Sequence, residues 1–266
     1  IENIRDRTQA NWLQHGMIDF ARLVLTQDMR TNQSDHLGEA WALPLSDSKV
    51  ADFLKNTDIP DELKSVSVNG AITDAQSFFN LNNVSTASGL LIYSQLLTTL
   101  GLNRSLAQQT AQALQERQII FSDVSDLIGI PGYNEFMVET LRNFVIALPT
   151  TSTINFNTAP AEVLIAIFPA LTRSSANNLV QQRSNTPAKD LNDIGVLLTR
   201  SGAGINVIVD ASLVNVGSQF WITNSEVTIG NGIFINTSLI QRSLTPLPSG
   251  NHTQVIWNKT NRMLSE

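Results

Sequence analysis

The sequence predicts an α+β fold: an N-terminal helix packed on an antiparallel sheet, with a large α-helical domain inserted into the chain of the sheet. Three observations carry this reading. Residues from about Thr8 to Met29 hold one helical stripe, residues 65–82 and 218–259 have strand texture, and the stretch between, from Ser88 to about Leu198, is helical throughout. A lone hairpin is marginal in water, so the two strand regions are expected to share one sheet against the first helix. The expected division is a discontinuous helix-plus-sheet domain, 1–84 and 203–266, and an inserted helical domain, 85–202.

In the first helix Leu13, Met17, Phe20 and Val24 follow i, i+4, i+7, i+11 spacing and share one stripe, broadened by Ile18, Ala21 and Leu25. Such a stripe packs on the domain's own sheet, or its upper part continues a preceding segment and packs on helices of other subunits. A Gly- and Pro-punctuated link, Asp35-His36-Leu37-Gly38-Glu39-Ala40-Trp41-Ala42-Leu43-Pro44, comes next, then a short helix over Lys49 to Lys55. Val66, Val68 and Ile72 alternate about Asn69-Gly70, a pair that accepts the positive φ of a primed turn, so a β-hairpin is expected there. After the helical block, Phe220–Thr223 and Glu226–Ile229 read as strand, Gly230-Asn231-Gly232 as a turn, Ile233–Ile240 as the returning strand and Gln254–Trp257 as a last one. Short connections make these an antiparallel meander.

Within the helical block, Ile154 to Arg183 resembles two short apolar helices joined by a tight turn, a helix-hairpin-helix pattern. Thr158 is placed to cap the first helix, with Pro160 in its opening turn, and Ser174 or Ser175 to start the second. Val163, Leu164 and Ile167 supply one apolar face, and Leu179 and Val180 pack back on it. In DNA-binding versions, glycines in the turn let backbone amides approach a phosphate. Here the turn is Phe168-Pro169-Ala170-Leu171, and the cations nearby are Arg173, Arg183 and Lys189. That is too few for the several phosphate contacts that support affinity. The whole chain, at net charge −6, also disfavours polyanions. A nucleic-acid-binding protein is therefore the competing reading, and packing or protein docking the favoured one.

Other chemistry is sparse. With no cysteine, disulfides, zinc thiolates and thiol nucleophiles are excluded. His15, His36 and His252 lie in separate segments, and no nucleophile elbow, phosphate loop or zinc-protease motif occurs, so no catalytic residues are assigned. Asp190-Leu191-Asn192-Asp193-Ile194-Gly195 looks like the start of a calcium loop, but Ile194 stands where an oxygen ligand belongs. Asp123, Asp126 and Glu135 flank a Gly/Pro loop as ordinary solvated charges. No run approaches the roughly 20 apolar residues that span a bilayer. The opening, IENIRDRTQANW, has no initiator Met and reads as a piece of a longer precursor whose membrane segment precedes it.

Three ordered motifs carry a resemblance: Asp35–Ala42 (DHLGEAWA), Asp74–Asn83 (DAQSFFNLNN) and Ile154–Pro160 (INFNTAP), with Phe220-Trp221-Ile222 through Val255-Ile256-Trp257 at the end. Together they resemble the minor pseudopilin K family of the type II secretion system along nearly the whole chain. The resemblance implies a type IV pilin-like fold with a large helical insertion and a non-enzymatic role at the tip of the periplasmic pseudopilus, where the subunit initiates or caps the pseudopilus for protein export. It implies minor pseudopilins I and J as partners, met through Leu13, Met17, Phe20 and Val24, and no nucleic acid. It further implies an inner-membrane anchor, an N-terminal helix absent from this chain and processed by a prepilin peptidase. Family members can bind calcium, many through an acid-rich loop ahead of the hairpin module. This chain has only Phe121-Ser122-Asp123-Val124-Ser125-Asp126 there, and no calcium ligands are assigned.

Overall fold

A computed structural model describes residues 2–50, 64–204 and 207–264. The chain forms two compact units, one of 1–32, 38–74 and 219–266, the other of 33–37 and 75–218. The second unit thus begins and ends outside the expected 85–202. Residues 75–83 bind into the helical unit through their asparagines, and Val214–Asn215 returns to pair in parallel with Ile154–Asn155.

The first unit is a helix on a five-stranded sheet. Helix α1 spans Glu2–Thr31. The strands are β1 (Leu45–Lys49), β2 (Ser67–Asp74), β3 (Phe220–Ile229), β4 (Gly232–Arg242) and β5 (Thr253–Leu264), ordered β1-β2-β3-β4-β5 and antiparallel throughout. The meander and its joining to the 65–82 region are as expected. Gly230, at φ +56°, opens the two-residue turn between β3 and β4, where a side chain would be strained.

The expected hairpin at Asn69-Gly70 is not there. Both residues lie inside β2, and Gly70 pairs with Leu45 on one side and Ser225 on the other. A Cβ on Gly70 would lie 2.5 Å from Met17 Cε, the flexible end of a side chain of α1, so this position faces the helix. Asn69 donates through Nδ2 to Glu226 Oε1 on the neighbouring strand at 3.2 Å. Strand β2 lies between β3 and β1, the latter an edge strand with no alternation of apolar residues to announce it. The short helix expected over 49–55 lies, beyond Val50, outside the described residues, and Lys49 itself closes β1.

Alternation along β3 buries Trp221, Thr223, Ser225, Val227 and Ile229 on the face toward α1. The apolar members belong to two clusters. One joins Ala10, Val66, Val68, Val227 and Phe234, with Leu13 and Met17 packed against it. The other joins Ile18, Ala21, Leu25, Trp41, Trp221 and Ile240, with Val24 against it. Between them runs a polar band: Thr223 faces Ser238 across β3 and β4, Ser225 faces Asn236, and all four are buried.

The second unit holds α2 (Ala87–Thr99), α3 (Leu106–Arg117), α4 (Glu135–Leu141), α5 (Ala161–Ile167), α6 (Arg173–Asn185) and α7 (Leu191–Arg200) around one core. Phe79 stacks on Tyr93 there with centroids 5.4 Å apart. The Tyr93 hydroxyl lies 2.8 Å from that of Tyr133, which lies 2.7 Å from Thr110 Oγ1, which donates to the Leu106 carbonyl. Burial, and for Tyr93 also the neighbouring Tyr133, pushes both phenols above their ordinary range.

Candidate functional site

The three sequence motifs are structural brackets. In the first, Trp41 is buried edge-to-face on Trp221, centroids 4.6 Å apart, and its indole N–H donates to Glu39 Oε2 at 2.8 Å. In the second, Asn80, Asn82 and Asn83 each clamp backbone from a distant segment. Asn80 holds Leu148 N and Thr150 O, Asn82 holds Phe121 N and O and Leu148 O, and Asn83 holds Ser152 N and O. In the third, Asn155 donates to Asp35 O and Ser218 Oγ, and Asn157 exchanges bonds with Ala188 N and O. Such amides present a donor and an acceptor together, as a neighbouring strand would.

The hairpin module forms from α5 and α6, with Val163, Leu164 and Leu179 buried as expected. Its caps differ from the sequence reading. Pro160, not Thr158, is the N-cap of α5, and the Thr158 hydroxyl donates instead to Asn155 O at 3.4 Å. Helix α6 starts one residue early, at Arg173, because Thr172 and Ser175 cap each other's backbone amides reciprocally. The cations are not arranged for phosphate. Arg183 is 3% exposed, donates to the carbonyls of Phe156 and Ala159, and burial lowers its pKa to about 10. Arg173 pairs with Glu162. Two of the three expected cations thus hold the module together.

The acidic loops are caps as well. Asp123 accepts from Ser125 N at 2.9 Å, while Asp126 Oδ2 accepts from Ser122 N and Asp123 N, closing a capping box at Val124–Gly129. Asp190 accepts from the amides of Asn192 and Asp193 at the start of α7. These carboxylates serve as acceptors for backbone amides at the ends of short helices. His15 is exposed on α1, and His252 Nδ1 lies 3.0 Å from the Ser243 carbonyl. Among the described residues neither ring is hydrogen-bonded to a carboxylate.

One exposed apolar surface lies on α1. Ala10, Gln14, Ile18, Ala21 and Leu25 form its buried stripe, on the turn beside the predicted one. Of the four predicted contact residues, Leu13, Met17 and Val24 are half-buried on the unit's own core, and Phe20 is 54% exposed. Trp12 and Leu23, which the sequence reading passed over, are 75% and 66% exposed and lie opposite the buried stripe at i, i+11 spacing. A scattered exposed apolar residue needs no account; three large ones along one flank of a helix do.

The first unit is a long helix on an antiparallel sheet with an apolar flank on the helix, and the chain of that sheet is interrupted by a helical insertion. A family model described as type II secretion system (T2SS), protein K, matches residues 154–214. The type II secretion system protein K of Pseudomonas aeruginosa is 27% identical over 261 residues, covering 84% of this chain and 73% of that protein. A solved chain of the GspK-GspI-GspJ complex from the enterotoxigenic Escherichia coli type 2 secretion system superposes with a TM-score of 0.75 at 20% identity, covering 98% of each chain. The resemblance to protein K carried by the three motifs is thus found again in sequence over 84% of the chain and in fold.

Proposed function

We propose that this chain serves as a minor pseudopilin of the K type: a structural, non-enzymatic subunit that joins minor pseudopilins I and J at the tip of the type II secretion pseudopilus and helps initiate or cap it for protein export. The observation that carries the reading is the uncovered flank of α1, with Trp12, Phe20 and Leu23 exposed on a fold similar to protein K. A related K chain was solved together with I and J. In this proposal Phe20, Trp12 and Leu23 meet the partner helices, and Leu13, Met17 and Val24 form the shoulder that supports them.

The reading extends to location. Among the described residues no helix is long and apolar enough to cross a membrane. The proposed arrangement is a periplasmic ectodomain, held to the inner membrane by a hydrophobic segment continuing α1 toward its N-terminus. The nucleic-acid alternative loses its support in the buried Arg183 and the paired Arg173.

The test is assembly. Purified I and J ectodomains of the same secretion system are mixed with this chain, and mass is followed by light scattering. A ternary complex is expected at micromolar concentration. Replacing Trp12 and Leu23 by Ser removes two large apolar side chains from the contact and weakens the complex on the order of 30-fold. Absence of any complex, or indifference to the double replacement, would refute the proposal.

A further inference from the structure

A cleft of about 240 Å³ opens in the first unit between α1 and the edge strand β5. Arg7, Asn11 and Gln14 line it from α1, Phe234 from β4, and Thr260 and Arg262 from β5. Spacings of four and three residues place the α1 members in one row along the helix. Arg262 stands opposite Phe234 across β4 and β5, so both side chains project from the α1 face of the sheet. The Arg262 guanidinium lies 5.5 Å from the centre of the Phe234 ring, a contact that uses none of its N–H donors.

The chemistry of the lining is one-sided. Among the described residues no carboxylate lines the cleft, and Asp6, next to Arg7 in sequence, pairs with Arg5 at 3.7 Å. Two guanidiniums lining one small space repel each other, and an anion between them replaces that repulsion with charge-assisted hydrogen bonds. Asn11 and Thr260 add neutral donors. Arg7, Asn11, Thr260 and Arg262 are all exposed, so an occupant reaches each of them from solvent. The cleft is smaller than the roughly 300–1,000 Å³ of pockets that bury a small molecule. It suits the end of one acidic side chain.

We propose that this cleft receives the carboxylate of an aspartate or glutamate presented by a partner pilin-like subunit. Arg7 and Arg262 bind its oxygens through their N–H forks, and Asn11 and Thr260 complete the set of donors. Asn11 directly precedes Trp12, which is 75% exposed on the apolar flank, and the two side chains leave the helix about 100° apart. A subunit packed on Trp12 therefore passes the mouth of the cleft. Apolar contact alone fixes neither register nor partner, and a charged pair at its border supplies both. This inference rests on the assembly reading above and names the polar contact within it.

The experiment reads the cleft in the unaltered chain. Arginine side-chain Nε–H signals, assigned with Arg7→Lys and Arg262→Lys, are followed by NMR while the I and J ectodomains are added. Both signals are expected to shift, with the same midpoint as complex formation by light scattering. The Arg7→Glu, Arg262→Glu pair weakens the complex about tenfold or more, and changing one partner Asp or Glu to Lys restores it. The Arg7→Lys, Arg262→Lys pair keeps the charge, loses the fork and weakens the complex less. Because the shifts are read in the parent, they decide the question even if Arg262→Glu, which loses the Phe234 contact, melts lower. Unshifted arginine signals in a complex that forms normally overturn the cleft proposal and leave the assembly reading standing. So does a folded Glu pair that binds as the parent does, or one that no partner change restores. If the unmodified chain forms no complex, the assembly reading falls and the cleft proposal with it. Signals that shift with phosphatidylglycerol vesicles and not with the partners also overturn it, and mark a lipid-headgroup site instead.

Discussion

Asn82 offers the sharpest test of how the second unit is held together. Its amide accepts from Phe121 N at 2.8 Å and donates to Phe121 O at 2.9 Å and Leu148 O at 2.8 Å, with the side chain 3% exposed. Asn82→Ala strands one buried N–H and two buried carbonyls. At about 1–3 kcal/mol each, the loss is roughly 3–9 kcal/mol, set against the 5–15 kcal/mol that typically holds a domain folded. Asn82→Asp is informative in another way. Its carboxylate still accepts from Phe121 N, but its second oxygen faces two carbonyl oxygens, which favours the protonated form in the folded state. A folded-state pKa raised above the unfolded value of about 3.9 means stability is fully present below that pH and lost as pH rises.

The aromatic residues make the assay selective. All four tryptophans (Trp12, Trp41, Trp221, Trp257) lie in the first unit, and both tyrosines (Tyr93, Tyr133) lie in the second. Tyrosine near-ultraviolet circular dichroism in a urea titration therefore reports the second unit, and tryptophan fluorescence the first. Asn82→Ala is expected to shift the tyrosine transition strongly, and Asn82→Asp to be less stable at pH 7 than at pH 4. An Asn82→Ala transition within about 0.5 kcal/mol of the parent, the range of an unimportant surface change, would refute the bracket argument.

Two further predictions concern the same unit. Gly89→Ala places a Cβ 2.0 Å from the backbone carbonyl oxygen of Asn83, so α2 must shift, and the variant is expected to lose at least about 2 kcal/mol in the same titration. Because burial raises the phenol pKa of Tyr93 and Tyr133, their contribution is present below the unfolded value near 10 and is lost as pH rises above it. Thermal melts from pH 8 to 11 are expected to fall more steeply for the parent than for a Tyr93→Phe, Tyr133→Phe variant, and parallel curves would count against it.

Periodicity was enough to find the spine helix and the meander, because α1, β3 and β4 each bury one face along their length. It failed where the deciding contact is remote. Asn69-Gly70 has turn chemistry, and what places it inside a strand is its pairing with Leu45 on one side and with Glu226 and Ser225, more than 150 residues later, on the other. Strand β1 has polar residues at most positions and is defined by its partner. A helical wheel showed that α1 is apolar over a wide arc, without saying which part the sheet covers. Leu13, Met17 and Val24 are half-buried beside the sheet, while Trp12 and Leu23 are exposed on the opposite side of the helix. The asparagine brackets were visible as motifs, but their bonds span 31 to 120 residues, a distance no local pattern encodes.

The pairing of Asp74 with Trp221 has a kinetic consequence. These neighbours in the sheet are separated along the chain by nearly all of the second unit, and closing so long a loop from a disordered chain carries an entropic cost that grows as the logarithm of its length. If residues 75–218 fold first, that loop is already short when the strands meet, since the body of the insertion contributes no slack. The order of events is then set by topology: the stretch 75–218 forms first, 33–37 joins it, and β2 and β3 zip afterwards. Only the pairing of β2 with β3 depends in this way on the insertion, since β3, β4 and β5 are joined by short connections.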